Sequence, residues 1–308
     1  MNKLVAICGP TAVGKTAYSI EIAKRFDGEI VSCDSMQLYK YMDIGSAKPS
    51  LDELKQVKHH LIGVVEPSEN FSVAKYKELA SASIDDILSR GKLPIIAGGT
   101  GLYLDALIFD LDFAAAPSDD SLRDELYKIA EEKGNLELHS ILHECDPDSA
   151  QRIHPNNVRR VVRAIESAKS GTKLKDFAKD LSLNDKYEFI LVGLRRDREE
   201  LYDRINRRVD ILVKEGLFDE VETLREMGLS ESDISMKGIG YKEVLAYFDG
   251  EYDLETAIDT IKKNTRHFAK RQITWLKRYD DMKWFDLSES KDDKDSIREI
   301  ITWLEKNL

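Results

Sequence analysis

Gly9-Pro10-Thr11-Ala12-Val13-Gly14-Lys15-Thr16 is a complete G-x-x-x-x-G-K-[ST] phosphate loop, and it lies directly after the apolar run 3–8. The pattern has a mechanism. Its glycines let the backbone fold into a nest of N–H groups, the lysine brings a point charge, and the Thr16 hydroxyl suits Mg²⁺. Residues 4–8 read as a buried strand, and residues 16–24 space their apolar side chains like a helix face. An anion held between the two gains the helix dipole as well. Gly9, Pro10, Thr11, Ala12, Val13, Gly14, Lys15 and Thr16 are therefore expected to bind a di- or triphosphate, with Thr16 as the protein's Mg²⁺ ligand.

Working outward, strand-like runs recur at 4–8, 29–33, 60–65, 93–97, 189–194 and 284–287, most of them followed by helix-period segments. That alternation predicts an α/β fold, a P-loop NTPase-like parallel sheet flanked by helices. Asp34-Ser35 follow the second run and Gly98-Gly99-Thr100-Gly101 follow the fourth. Ligands of open α/β sheets gather at the carboxyl ends of strands, so both should converge on the phosphate loop.

From 110 to 186 the strand signal vanishes. Stretches 118–133, 136–144, 156–170 and 174–181 read as helices, with Pro117, Pro147 and Pro155 just ahead of helix starts. The expected organisation is a core of 1–112 and 187–308 carrying a C-terminal helical block, with 113–186 as a helical insertion. Helices are expected at 198–214, 219–226, 241–248 and 255–278, the last capped by Asp253.

With 308 residues, 42% hydrophobic and 33% charged, the chain can bury a large core and falls outside the disordered class. No apolar run approaches a membrane span. The first residues feed straight into a strand, so no signal peptide is expected. Three scattered cysteines, Cys8, Cys33 and Cys145, argue for a reducing cytoplasm and against a disulfide framework. Formal net charge is −11, yet basic residues cluster at 152–175, 195–208 and 262–278. An acidic protein with local basic surfaces can still hold RNA.

Six blocks narrow the chemistry: GPTAVGKT (9–16), DSMQLYKYMDIGSAKP (34–49), GGTGLYLDAL (98–107), RIHPNNVRRVVRAIE (152–166), KGIGYKE (237–243) and AKRQITWLKR (269–278). In order and spacing the chain resembles the bacterial tRNA dimethylallyltransferases, from about residue 4 to about residue 280. The resemblance implies transfer of a dimethylallyl group from dimethylallyl diphosphate to N6 of the adenosine 3′ to the anticodon of a tRNA, with release of diphosphate. Mg²⁺ is the implied cofactor, the tRNA anticodon stem-loop and dimethylallyl diphosphate the implied partners, and monomer the default state.

In that chemistry the phosphate loop holds a leaving group, and Lys15 stabilises the charge that develops on it. The adenine amine is a poor nucleophile, so a carboxylate that takes its proton helps. Asp34 matches the family's general base, with Mg²⁺ binding or capping as its competing roles. Thr100 resembles the residue that helps position the adenine, and an ordinary turn or N-cap threonine is its alternative. Asp34, Ser35, Met36 and Gln37 match a tRNA-contacting segment in which the Gln37 amide could read an adenine edge. Arg159, Arg160 and Arg163 share a helix and suit RNA phosphates. Lys237, Gly240, Tyr241 and Lys242 combine glycine flexibility with an aromatic for stacking. Lys270, Arg271, Gln272 and Lys277 complete the matched set, while Trp275 belongs on an apolar helix stripe. Three rival readings are a prenyltransferase acting on free adenine nucleotides, a small-molecule phosphotransferase using Asp34, and a nonenzymatic nucleotide switch.

Overall fold

Strand β1 (Asn2–Cys8) turns Leu4, Ala6 and Cys8 into one apolar layer and Val5 and Ile7 into another. A strand buried on both faces is the mark of a parallel sheet covered by helices on each side. The computed structural model describes residues 2–109, 111, 120–171, 182–290 and 292–308. Among these, β1 lies within a six-stranded sheet with β2 (Gly28–Cys33), β3 (His59–His60), β4 (Leu93–Gly98), β5 (Tyr187–Arg195) and β6 (Lys283–Asp286). The order is β3-β2-β4-β1-β5-β6, and every pairing is parallel.

The helices of the sheet-bearing unit are α1 (Lys15–Arg25), α2 (Leu51–Gln56), α3 (Val73–Ser89) and α4 (Gly101–Ile108), and then, after the intervening unit, α9 (Arg198–Lys214), α10 (Leu217–Glu226), α11 (Tyr241–Phe248), α12 (Leu254–Leu276) and α13 (Asp293–Glu305). The unit comprises Met1–Phe109 and Leu183–Leu308. Asp253 caps α12 by accepting from the Thr256 N–H at 2.7 Å. The second unit, Asp110–Ser182, holds α5 (Asp120–Lys133), α6 (Asn135–Cys145), α7 (Pro147–Arg152) and α8 (Val158–Lys169) around its own core of Leu126, Leu138, Leu142, Val161 and Ile165. The helix expected at 174–181 lies outside the described residues. No helix of the described residues is long and apolar enough to cross a membrane.

One element differs from the sequence expectation. The strand at 60–65 shrinks to His59–His60, because Leu61 (φ 62°) and Gly63 (φ 60°) turn the chain off the sheet. Val65 instead forms an isolated bridge to Tyr39. Acidic residues open α13. Asp292 caps α13 by accepting from the Asp295 N–H at 2.9 Å, and Asp293 and Asp295 in its first turn favour the positive end of the dipole.

The feature that builds the site is register. Cys8 of β1 pairs with Gly98 of β4, and Gly98 pairs with Cys33 of β2. Three strands thus end level with one another. The phosphate loop after Cys8, the turn after Gly98 and Asp34 after Cys33 leave the sheet side by side, with the first and last two strand spacings apart, about 10 Å.

Candidate active site

The loop from Gly9 to Thr16 wraps the start of α1, with Gly14 in the left-handed region (φ 118°) as its N-cap. First-turn amides of a helix have no intrahelical partner and are available to an anion. The Lys15 ammonium folds back under the loop and donates to the carbonyls of Gly9 (3.0 Å) and Pro10 (2.9 Å). Burial pulls its pKa down to about 8, partly offset by the negative charge of Asp34, while Arg208 lowers it further.

Asp34 begins the loop after β2. Its Oδ1 accepts from the N–H of Met36 (2.9 Å) and Gln37 (3.4 Å), which turns the chain, and its Oδ2 has no protein partner among the described residues. Thr100, at the N-cap of α4, accepts through Oγ1 from the Ser35 N–H at 3.1 Å, and its own N–H donates to the Cys33 carbonyl. The close approach of β4 to β2 requires glycine at 98, since a Cβ there would lie 2.1 Å from the Cys33 oxygen. Lys15, Thr16, Ser32, Asp34, Gln37 and His59 line one cleft. Cys8 and Cys33, the last residues of β1 and β2, are buried as neutral thiols. Burial pushes Cys8 up to about 12 and raises Cys33 as well.

Several residues were not singled out from the sequence. Arg196 and Arg204 donate through Nε to the loop carbonyls of Val13 (3.1 Å) and Ala12 (2.9 Å). Arg208, one turn beyond Arg204 on α9, reaches the Ala47 carbonyl at 3.4 Å. Burial lowers its pKa, and the charge of Asp34 works the other way. The available signal was the i, i+4 spacing of Arg204 and Arg208, which puts both on one face of the helix. His59 donates from Nδ1 to the Val57 carbonyl at 2.8 Å in the tautomer that leaves Nε2 a buried acceptor.

The residues expected to meet RNA divide into three groups. Ser35, Met36 and Gln37 follow Asp34 at the cleft. Both ends of the Gln37 amide are engaged, Oε1 by the Ser32 hydroxyl (3.2 Å) and Nε2 on the Ala47 carbonyl (3.2 Å). Lys237, Lys242, Lys270, Arg271 and Lys277 are exposed. In the helical unit Arg159 and Arg160 are exposed on α8, and Arg163 faces Glu166 at 3.5 Å.

Two expectations need correction. Tyr241 offers no stacking face, because its side chain is fully buried against Gly45 and its hydroxyl donates to Glu220 Oε1 at 2.9 Å. Gly240, beside it, is buried too and serves as the N-cap of α11. Gln272, only 5% exposed, faces the phosphate loop, so the matched segment of α12 splits between two faces. Trp275 packs against Gly101 with the Arg278 guanidinium 4.5 Å from its ring centroid, in keeping with the apolar stripe.

A family model described as IPP transferase matches residues 37–279. A tRNA dimethylallyltransferase of Acetivibrio thermocellus is 51% identical over 310 residues, covering 100% of this chain and 96% of the relative. The crystal structure of the full-length tRNA isopentenylpyrophosphate transferase from Bacillus halodurans matches with a TM-score of 0.76 at 44% identity, covering 99% of this chain and 96% of that one. That of the tRNA delta(2)-isopentenylpyrophosphate transferase from Staphylococcus epidermidis matches with a TM-score of 0.73 at 41% identity, covering 100% of both chains.

Proposed function

The chain belongs to the IPP transferase family, and from that premise we propose that its cleft joins dimethylallyl diphosphate to an adenine amine of tRNA. It is an enzyme of the tRNA dimethylallyltransferase class, acting on tRNA near the anticodon. In the reading proposed, the diphosphate lies in the nest formed by residues 9–16. The allylic C–O bond breaks, N6 of the adenosine 3′ to the anticodon bonds to the freed carbon, and the amine proton passes to Asp34. Diphosphate departs with the electron pair of the broken bond.

Each group has a physical task. Lys15 and the loop amides stabilise charge that accumulates on the leaving group in a site fixed beforehand, where donors are worth most. Arg196 and Arg204 brace the loop by its carbonyls. Arg208 adds positive charge near Asp34 and Lys15. The target base has to leave its stack to reach Asp34, at a cost of a few kcal/mol that contacts along the RNA offset. Lys270, Arg271, Lys277, Arg159 and Arg160, all exposed, are the candidates for those contacts.

A divalent cation fits the residues present. Thr16 and Asp34 line the same cleft, and among the described residues no group of three or more His, Cys, Asp or Glu side chains could cage a metal. Mg²⁺ is commonly held by one or two protein oxygens together with substrate phosphates and water, which needs no such cage. Thr16 would be its protein ligand, and the ion would neutralise charge on the diphosphate when bound.

The observation that carries this reading is the level ending of β1, β4 and β2, with Lys15 and Thr16 of the phosphate loop and the Asp34 carboxylate lining one cleft and Thr100 held to Ser35 next to Asp34. The test incubates the full chain with Mg²⁺, labelled dimethylallyl diphosphate and, separately, an anticodon stem-loop, whole unmodified tRNA, or AMP. Label in RNA alone is the expected result. Label in AMP, or turnover of the ATP γ-phosphate with no prenylation anywhere, overturns it.

A further inference from the structure

We infer that Gln272 is a positioning residue that fixes the distance between the loop holding the diphosphate and the turn holding the acceptor base, an inference resting on the reading above. The Gln272 amide is spent at both ends. Its Oε1 accepts from the Thr11 N–H at 2.8 Å, and its Nε2 donates to the Gly99 carbonyl at 2.9 Å. One planar group thus spans the phosphate loop and the turn after β4.

The fit is close on the turn side. A Cβ at residue 99 would lie 2.2 Å from Gln272 Nε2, so only glycine admits the amide there. One helical turn on, Trp275 does the same to Gly101, where a Cβ would lie 2.2 Å from the indole Cδ1. Side chains three apart share a helix face. Helix α12 therefore lays two of them along Gly99–Gly101 and brackets Thr100 between. Thr100 in turn accepts from the Ser35 N–H beside Asp34. A continuous line of contacts runs from Thr11 through Gln272, Gly99 and Thr100 to the residue next to the proposed base.

The chemistry of the side chain matches this role rather than RNA contact. Gln272 is 5% exposed and would have to release both loops to meet an RNA, whereas Lys270, Arg271 and Lys277 on the same helix are already exposed. The site asks for one acceptor and one donor on a rigid group. Glutamate offers only acceptors, and methionine neither.

The test uses the full chain with Gln272→Met and Gln272→Glu, each alone and combined with Thr100→Ala. Single-turnover rates at saturation and steady-state rates over a range of stem-loop concentrations are measured with saturating dimethylallyl diphosphate. Wild-type protein that fails to prenylate the stem-loop removes the underlying reading, and only active wild-type protein bears on this inference. Misplacing reacting groups by about 1 Å commonly costs about 100-fold, and a loss of that order is expected in each Gln272 variant with the stem-loop KM little changed. Because Gln272 acts through the Thr100 turn, each double variant should be no more than about threefold slower than its slower parent, whereas independent sites multiply to within about twofold. Gln272→Glu preserves shape and carries the same cycle if the methionine variant does not fold. Multiplying losses, an unchanged rate, or a tenfold rise in stem-loop KM with the rate preserved each overturn the inference.

Discussion

Glu220 on α10 offers the sharpest test of how the irregular loop after Asp34 is held. One carboxylate oxygen accepts from the N–H of Asp43 and of Ile44, each at 2.7 Å, and the other from the N–H of Gly45 and the hydroxyl of Tyr241, each at 2.9 Å. Glu220→Gln leaves a single acceptor oxygen, so at least two of the four bonds are lost and an NH₂ group faces backbone donors. Hydrogen bonds to a charged group are worth about 1.5–3 kcal/mol each, and for a half-buried carboxylate the low end applies, giving about 3 kcal/mol in all. Tyr241→Phe removes only one of the four, at about 1 kcal/mol. The assay is hydrogen exchange of the amides of residues 43–45 in the intact protein, which reports local opening. At 1.4 kcal/mol per decade, the glutamine variant should exchange about 100-fold faster and the phenylalanine variant about fivefold. Equal acceleration in both, or none in the first, would mean that these amides are held by something other than the carboxylate.

Three further outcomes follow from the same contacts. Glu29 is 4% exposed, and the Arg90 guanidinium and then His60 hold its carboxyl at about 2 against the usual 4.5. The folded value lies below the unfolded one, so this stabilisation is present above pH 4.5 and is lost as the pH falls toward 2. Glu29→Gln should therefore flatten the acid limb of a urea-midpoint profile by about 3 kcal/mol, and parallel profiles would refute it. Lys15→Met should fold normally yet lose about 3–4 kcal/mol of barrier lowering, several-hundredfold in single-turnover rate, and a loss below tenfold would remove Lys15 from the leaving-group cradle. Arg160→Ala and Lys270→Ala should each weaken tRNA binding and reduce the slope of log affinity against log salt by about 1, so an unchanged slope excludes that residue from the RNA surface.

What could be read in advance was what the chain writes locally. The phosphate loop, the strand ahead of it and the Asp253 cap are each encoded within a few adjacent residues. Contacts made by distant partners were not legible. Glu220 reaches Gly45 across 175 positions, Arg204 reaches Ala12 across 192, and Gln272 reaches Thr11 across 261. Tyr241 misled for a related reason. An aromatic beside glycines suits an exposed loop or a tight core equally, and only the position of Gly45 and Glu220 decides between them. The 60–65 run has the residue types of a strand, but backbone turns at Leu61 and Gly63 leave no periodic trace.

Strand order explains why an acid and a cation can share this cleft without cancelling. Were β2 adjacent to β1, the start of the Asp34 loop would lie one strand spacing, about 5 Å, from the phosphate loop. A lysine and a carboxylate that close, out of water, form a pair that is costly to break. Lys15 would then meet a diphosphate with its own charge already offset, and Asp34 would be too well satisfied to accept a proton. Interposing β4 doubles the separation. The Lys15 ammonium accordingly donates to the Gly9 and Pro10 carbonyls, and the charge of Asp34 reaches it only as a secondary influence on its pKa. In the function proposed above, diphosphate oxygens would take the place of those carbonyls. The Asp34 carboxylate keeps one oxygen without a protein partner among the described residues.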